Sequence, residues 1–196
     1  MMFLACVSAY VLGAIPSGLW LCRAFWHIDI RNYGSRNIGA TNVYRTLGKG
    51  PGALVLLLDF LKGSLGVYIA MLLVGTPLAM VFGGMFAILG HSASVFLRFK
   101  GGKGVATGLG VIAMLMPNVT AVVTLVWLGI VFVTRYVSLG SIVAAALVPL
   151  LAFFFDAPAE YLVFGGAAAI LVIVRHHSNI RRLLDGTESK IKAGRR

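Results

Sequence analysis

Residues 52–97 read GALVLLLDFLKGSLGVYIAMLLVGTPLAMVFGGMFAILGHSASVFL, and their pattern indicates the fold most clearly. It contains two apolar runs, 52–74 and 77–97, with only Gly75 and Thr76 between them. Each run is long enough to cross a hydrocarbon core about 30 Å thick, which needs about 20 residues of helix. The stretch therefore predicts two membrane-spanning helices joined by a tight hairpin.

The composition of the whole chain extends this prediction. Of the 196 residues, 59% are apolar and 12% are charged, whereas soluble proteins average about 45 to 50% apolar and about 25% charged. Apolar runs lie at 3–22, 52–74, 77–97, 105–116, 119–134, 138–155 and 160–174. Because these runs occupy most of the chain, residues 1–196 are predicted to form a single membrane domain with no soluble domain beside it.

Charge decides between six and seven spans. The fourth and fifth runs are short, and one helix through Pro117 and Asn118 would reduce the count to six. Seven spans with the N-terminus outside place every Lys and Arg of the loops, and the seven cations from Arg175 onward, on the cytoplasmic side. Six spans would send Arg135 or the basic tail outward, against the positive-inside rule. We therefore predict an all-α integral membrane protein with seven transmembrane helices, an outside N-terminus and a cytoplasmic C-terminus.

The net charge of +11 also indicates what the protein binds. In a membrane protein such an excess first reports topology, and it also favours anionic lipid headgroups or anionic substrates. Nucleic-acid binding is a weaker interpretation, because the cations flank hydrophobic spans and no nucleic-acid module accompanies them.

A first polar cluster, IRNYGSRNIGATNVYRTLGKGPG, follows the first span at residues 30–52. It is too polar to cross a membrane, and its hydrogen-bond donors suit a phosphate oxyanion. These donors belong to Ser35, Asn37, Thr41, Asn42 and Arg45. The alternative is an ordinary juxtamembrane loop that contacts lipid headgroups.

A second cluster, FKGGKGVATGLG at residues 99–110, begins the fourth span. Free amides at a helix N-terminus, the close backbone approach that Gly101 and Gly102 permit, and the charge of Lys103 together predict an anion site. The cluster is not a Walker A loop, since Gly104 follows the lysine where Ser or Thr is required. The alternative is a basic stop at the membrane boundary.

A third cluster, RHHSNIRRLLDGTES at residues 175–189, follows the last span. The spacing of His176, Asn179 and Arg182 places them on one helical face, where they can address one ligand. No carboxylate or cysteine completes a metal ligand set with the adjacent histidines, so we expect no metal. The alternative is a basic amphipathic tail that rests on anionic lipid.

Several polar residues lie within or next to the spans. Asp59 and Lys62 stand three residues apart in the second span, so they can pair, and we expect them to support the site from within the bundle. His91 is interpreted as a hydrogen-bonded core histidine rather than a base. Ser138 and Ser141 follow Arg135 and add hydroxyls on the cytoplasmic side.

The stretches GSRNIGATN, LGH followed by FKGGKGVATGLG, YVSLGSI and RHHSNIRRLLDGTE resemble, in order and spacing, the bacterial acyl-phosphate:glycerol-3-phosphate acyltransferases, the PlsY family. The resemblance runs over residues 13–188. It implies a membrane enzyme that moves a fatty acyl group from acyl phosphate to glycerol 3-phosphate, giving lysophosphatidic acid and phosphate in the first acylation of phospholipid synthesis. It implies no cofactor and no use of acyl-CoA.

The resemblance implies that the glycerol-phosphate site comprises Ser35, Arg45, Lys103, Ser141, His176 and Asn179, while the glycines of GGKGVAT cradle the acyl-phosphate group. Together with the residue types and spacings described above, it leads to the following expectations. Lys103, Ser35 and Asn179 are expected to be catalytic. Substrate binding is expected from Ser35, Thr41, Asn42, Arg45, Gly101, Gly102, Lys103, Gly104, Ser141, His176 and Asn179. Support is expected from Asp59, Lys62, His91, Arg182 and Glu188. Two residues depart from the family pattern: Arg36 stands where glycine is usual, and Ser94 replaces a common proline.

The sequence lacks the HxxxxD pair of acyl-CoA-dependent acyltransferases, because no histidine has an aspartate five positions on. Our hypothesis is that the substrate's own phosphate takes the hydroxyl proton while Lys103 and loop amides stabilise the developing charge. The resemblance places the protein in the bacterial inner membrane, with a cytoplasmic active site, among membrane lipid, and downstream of a soluble enzyme that forms acyl phosphate. The alternative function is a transporter of an anionic phosphorylated solute, which requires polar sites near the bilayer midplane.

Overall fold

The computed structural model describes residues 1–191, and every regular element in that range is helical. The α-helices are α1 Met2–Ala14, α2 Ser17–Trp26, α3 Ala40–Leu47, α4 Lys49–Leu73, α5 Pro77–Ser92, α6 Val105–Leu115, α7 Pro117–Thr134, α8 Val137–Phe154, α9 Ala159–Arg175 and α10 His177–Leu184. Short 3-10 helices lie at Ile30–Asn32 and Val95–Leu97. Lys192, Arg195 and Arg196, three cations of the predicted basic tail, lie outside the described residues.

Helical segments are found at all seven predicted runs, but the number of crossings remains a prediction. Five segments are long and apolar enough to cross a membrane, and a sixth is added if α9 and α10, which are bent by 60°, count as one span. Helix α6 has 11 residues, roughly 16 Å at 1.5 Å per residue, which is shorter than a hydrocarbon core. The orientation of the termini likewise remains a prediction.

The fourth and fifth runs form two helices rather than one. Helix α6 ends at Leu115, and α7 begins with Pro117 at its first position. Proline lacks the N–H that an interior helical position must donate, but the first turn needs no such donor. Met116, with φ −142° and ψ 71°, therefore breaks the continuous helix that the six-span alternative required.

The first run is also broken, which the sequence analysis did not anticipate. Helix α1 ends at Ala14 and α2 begins at Ser17, because Pro16 cannot continue the helical hydrogen bonding. Two side chains satisfy the exposed carbonyls: Ser94 Oγ donates to Ala14 O over 2.5 Å, and Lys62 Nζ donates to Ile15 O over 2.9 Å. Such partners are required where helical bonding stops in an apolar environment.

The chain divides into two compact units, one comprising Met1–Val111 and a second that begins at Ile112. In the first unit, small residues let α1, α4 and α5 approach closely, as is usual for helices packed in lipid. A Cβ added to Gly13 would lie 2.1 Å from Ala87 O, and one added to Gly66 would lie 2.7 Å from Ala87 Cβ. In the second unit, α8 packs against both α7 and α9.

A buried apolar cluster in the first unit supports the polar loop after α2. It consists of Leu19, Cys22, Ile30, Ile38, Val43, Val55 and Leu97. Helix α3 contributes Val43, which is fully buried, while Thr41 and Arg45 on the same helix are partly exposed. The polar loop is therefore an ordered element seated on its own core, and it includes one amphipathic helix.

Candidate active site

The side chain of Asn42 organises the polar loop around Ser35. Its Oδ1 accepts a hydrogen bond from Ser35 N over 2.9 Å. Its Nδ2 donates to three carbonyls, those of Ile30 at 3.2 Å, Tyr33 at 3.0 Å and Asn37 at 2.8 Å. Asn42 is only 2% exposed, whereas Ser35 lies at the surface of the loop. The loop thus presents Ser35 from a backbone held by one buried amide.

Two residues beside Ser35 adopt left-handed backbone angles. Gly34 has φ +54°, and a Cβ there would lie 2.4 Å from Asn42 Oδ1, so both the backbone and the space require glycine. Arg36 has φ +59°, a conformation that L side chains adopt at a cost of about 1 to 2 kcal/mol. The departure from the family pattern at position 36 therefore places a strained arginine where glycine would be relaxed.

Part of the positive charge of this loop is neutralised locally. Arg23 Nη2 lies 2.7 Å and Arg31 Nη2 lies 2.6 Å from Asp29 Oδ2. The hydrogen bonds from Arg31 and then from Arg23 hold the pKa of Asp29 well below its usual range. These two arginines are therefore committed to the aspartate, and neither was assigned to substrate; the cation of this segment that was assigned to substrate is Arg45 on α3.

The glycine loop before α6 packs directly on the last turn of α5. Gly102 N donates to His91 O over 3.0 Å, and Gly101 N donates to Ser92 O over 3.1 Å. A Cβ on Gly101 would lie 2.0 Å from His91 O, and one on Gly102 would lie 2.1 Å from His91 Nε2. The two glycines are therefore needed for contact with His91, and their amides are already used within the protein. Lys103 follows at once, two residues before α6 begins.

Three ionisable groups lie buried behind this loop. Lys62 Nζ is 2.7 Å from Asp59 Oδ1, and the two side chains are 5% and 4% exposed, which confirms the predicted pairing. His91 Nδ1 lies 3.7 Å from the same carboxylate oxygen. Lys62 also donates to Ile15 O at the break between α1 and α2. Lys62, Asp59 and His91 therefore form a chain of contacts from this break to His91, against which the glycine loop packs.

An open apolar groove lies in the same unit, between α1, α2 and α4. Its volume is about 400 Å³. It is lined by Leu12, Ile15, Ser17, Trp20, Leu21, Ala24, Leu58, Leu61, Lys62 and Leu65. Nearly all of these side chains are apolar, so the groove suits an alkyl chain.

In the second unit a buried carboxylate gathers three donors. Glu188 Oε1 accepts from Ser138 Oγ and from Asn179 Nδ2, both over 2.8 Å, and Glu188 Oε2 accepts from Arg182 Nε over 2.7 Å. Burial alone would raise the pKa of Glu188, but the hydrogen bonds from Asn179, Ser138 and Arg182 outweigh it and hold the pKa below its ordinary value. The structure thus brings Asn179 and Arg182 together through Glu188.

His176 and Ser141 lie in the same unit and are also held by neighbours. His176 directly follows α9, and its Nδ1 lies 2.7 Å from Val172 O. Ser141 Oγ donates to Val137 O over 2.9 Å and accepts from Trp127 Nε1 over 3.2 Å. Trp127 could not be predicted as a neighbour of Ser141, because nothing in an apolar run marks one aromatic as a hydrogen-bond partner.

These features define a class: a helical integral membrane protein with polar, basic clusters at the ends of its spans. Among residues 1–191 there is no group of three or more His, Cys, Asp or Glu that could hold a metal ion. A family model described as "Glycerol-3-phosphate acyltransferase" matches residues 3–186. The chain belongs to this glycerol-3-phosphate acyltransferase family.

Relatives and solved structures agree with this assignment over nearly the full length. The chain is 50% identical to a glycerol-3-phosphate acyltransferase of Trichlorobacter lovleyi over 95% of both chains. It is 46% identical to one of Carboxydothermus hydrogenoformans over 97% of both chains. A crystal structure of PlsY (YgiH), an integral membrane glycerol 3-phosphate acyltransferase in its glycerol 3-phosphate form, superposes with a TM-score of 0.93 at 43% identity, covering 97% of this chain and 96% of that one. The same protein in its lysophosphatidic acid form gives a TM-score of 0.91.

Proposed function

We propose that the protein transfers a fatty acyl group from acyl phosphate to glycerol 3-phosphate, producing lysophosphatidic acid and inorganic phosphate. The observation that carries the proposal is membership of the acyltransferase family across residues 3–186. Two states of a closely similar structure, a glycerol 3-phosphate form and a lysophosphatidic acid form, support the acceptor and the product. The reaction is the first acylation step of phospholipid synthesis.

The reaction balances without a cofactor. A hydroxyl oxygen of glycerol 3-phosphate attacks the acyl carbonyl carbon, an ester C–O bond forms, and the bond between that carbon and the phosphate oxygen breaks. The departing phosphate keeps the electron pair, and a substrate phosphate takes the hydroxyl proton. Acyl phosphate is a mixed anhydride with a good leaving group, so the protein mainly has to orient two substrates and stabilise developing negative charge.

We assign the acyl-phosphate group to Lys103 and the beginning of α6. The ammonium of Lys103 and the positive end of the helix dipole both favour a phosphate there. The amides of Gly101 and Gly102 donate to carbonyls of α5, so their role is to hold the loop in place while Lys103 and Gly104 face the anion. The open groove lined by Trp20 and Leu58 would take the acyl chain.

We assign glycerol 3-phosphate to Ser35, Thr41 and Arg45, with Lys103 in the same unit. Ser141, His176 and Asn179 remain candidates for substrate binding on the strength of the family resemblance. Hydroxyl, amide and guanidinium donors suit both its phosphate and its hydroxyl groups. Glu188 supports Asn179 through the hydrogen bond over 2.8 Å, and Arg182 supports Glu188. Asp59, Lys62 and His91 support the glycine loop from behind.

Acyl phosphate rather than acyl-CoA is the proposed donor, because none of the four histidines has an aspartate five positions on. Without that pair the protein offers no obvious base of the kind that acyl-CoA-dependent enzymes use. A soluble enzyme that forms acyl phosphate would then supply the donor. We further propose that the active site lies on the cytoplasmic face of the bacterial inner membrane, because the positive-inside rule favours the cationic loops on that side.

Two observations favour the alternative, a transporter of an anionic phosphorylated solute. The α1–α2 segment is broken, and Asp59 and Lys62 are buried among the helices, as in many transporters. However, Lys62 is paired with Asp59 and also caps Ile15 O, so both features have a structural explanation in this protein.

The deciding experiment gives purified protein glycerol 3-phosphate with either acyl phosphate or acyl-CoA and measures lysophosphatidic acid. Lys103→Ala should lower kcat by about 10² to 10³, as the loss of one oxyanion donor does elsewhere. Lys100→Ala, at an exposed position three residues earlier, is the matched control and should keep normal turnover. Product formed from acyl-CoA alone would refute the assignment of acyl phosphate as the donor. Product from neither donor would favour the transporter alternative.

A further inference from the structure

The amide of Asn42 has no hydrogen-bond donor left for a substrate. A primary amide carries two N–H hydrogens and two acceptor lone pairs. The Nδ2 group of Asn42 lies 2.8 to 3.2 Å from the carbonyls of Ile30, Tyr33 and Asn37, so its two hydrogens already serve three acceptors, one hydrogen being shared between two carbonyls. What remains on Oδ1 beside the bond from Ser35 N is acceptor capacity, which repels a phosphate oxygen. Asn42 is also 2% exposed, so a substrate cannot reach it without dismantling the loop.

The four hydrogen bonds of Asn42 surround Ser35 in the chain. Ile30 and Tyr33 precede Ser35, Asn37 follows it, and Ser35 contributes its own backbone N–H. One side chain on α3 thus determines the path of the loop on both sides of the serine. Helix α3 is anchored in the buried cluster through Val43. The position of Ser35 therefore depends on this anchored helix and not on the loop alone.

We infer that Asn42 is a positioning residue that sets the placement of Ser35 and makes no contact with substrate. The inference rests on the proposed function, in which Ser35 binds glycerol 3-phosphate. It replaces the expectation that Asn42 belongs to the substrate-binding groups. Catalytic geometry is sensitive to such placement, since a shift of about 1 Å can lower a rate by 10².

Gly34 offers a way to test the link without removing Asn42. A Cβ on Gly34 would lie 2.4 Å from Asn42 Oδ1, and three donated hydrogen bonds keep that side chain from moving away freely. Gly34→Ala should therefore break the bond from Ser35 N and lower kcat/KM for glycerol 3-phosphate by about 10 to 10²-fold.

Gly75→Ala is the matched control for backbone strain. Gly75 has φ +75°, close to the +54° of Gly34, but its added Cβ would meet only Met71 O at 3.5 Å, an ordinary contact. It lies in the hairpin between α4 and α5 and is not a proposed site residue. Both variants strain a left-handed backbone position and should lower Tm, Gly34→Ala by more because of its contact with Asn42, while only Gly34→Ala should lower kcat/KM. An equal loss of activity in both would overturn the inference.

A double-mutant cycle with Ser35→Ala separates positioning from general loop damage. If Asn42 acts through Ser35, Gly34→Ala should change kcat/KM by no more than about 2-fold once the serine hydroxyl is gone. Asn42→Ala should show the same non-additivity. If either substitution causes the same fold loss with and without the hydroxyl, Asn42 acts independently of Ser35 and the inference fails.

The same measurements distinguish this inference from the proposed function. Normal activity in Gly34→Ala together with inactive Ser35→Ala would refute the positioning role and leave the proposed function standing. Normal activity in Ser35→Ala would refute the assignment of Ser35, and the positioning role with it. Absence of lysophosphatidic acid from the unmodified protein would refute the function itself.

Discussion

Replacing Lys62 by methionine tests whether the buried charges of α4 hold the first unit together. The substitution keeps side-chain volume but leaves the Asp59 carboxylate, 4% exposed and 2.7 Å from the former Nζ, without its countercharge. Breaking one partner of a buried pair typically costs 3 to 5 kcal/mol, because the remaining charge is uncompensated. Ile15 O loses one donor but still accepts from Ser17 N over 3.0 Å, so the carbonyl adds little to the loss.

The assay is thermal unfolding of purified protein in detergent. A loss of 3 to 5 kcal/mol should lower Tm by on the order of 10 °C in a chain of this length. The double variant Asp59→Asn with Lys62→Met removes both charges and should recover at least half of the loss. Lys49→Met, an exposed lysine at the start of the same helix, should stay within about 0.5 kcal/mol of the unmodified protein. If Lys62→Met unfolded no earlier than Lys49→Met, the pair would have no structural role and the reasoning would be wrong.

Two other predictions concern the loops. Glu188→Gln should destabilise the second unit by about 2 kcal/mol at neutral pH, because the charge-assisted hydrogen bonds are lost. The folded pKa of Glu188 is lowered, so the stabilisation by its carboxylate is fully present above the ordinary pKa of 4.5. It is lost as the pH falls through the folded pKa. Thermal unfolding measured from pH 7 downward through the folded pKa of Glu188 checks this, and the variant should lose the acid sensitivity that Glu188 contributes. Arg36→Gly should raise the free energy of unfolding by about 0.5 to 1 kcal/mol, because glycine relieves the left-handed strain. Arg36→Ala is the control: it removes the same charge but keeps the strain, so it should bring no gain in Tm.

Helix positions were predictable because charge and hydropathy alone delimit apolar helices. The second run, 52–74, corresponds to α4 Lys49–Leu73, and the last run, 160–174, corresponds to α9 Ala159–Arg175. The break at Pro16 was not predicted, although proline inside the first run was a visible signal. Its stabilising partners, Ser94 and Lys62, lie far along the chain, and local sequence patterns carry no information about such contacts.

The sequence predicts which residue types belong to the candidate site, but it does not predict which neighbours each of them contacts. Glycine at 101 and 102 is expected to admit an anion, and the structure adds a close contact of both residues with His91 that the sequence does not reveal. Asn42 is expected to bind substrate, and the structure adds hydrogen bonds from its amide to the loop around Ser35, on which our positioning inference rests. In both cases the sequence shows that a glycine or a polar side chain is present. Only the folded structure shows which neighbouring atoms that residue contacts.

The break between α1 and α2 has a consequence for biogenesis. The carbonyls of Ala14 and Ile15 are satisfied by side chains that lie 80 and 47 residues further along the chain. When the nascent first segment reaches the translocon, neither side chain has yet been synthesised. Ile15 O can accept from Ser17 N in the meantime, but the bond from Ser94 to Ala14 O can form only after residue 94 has been made, and an open carbonyl in hydrocarbon costs several kcal/mol. The junction between α1 and α2 is therefore among the first parts of the chain to be made and among the later ones to be fully hydrogen-bonded.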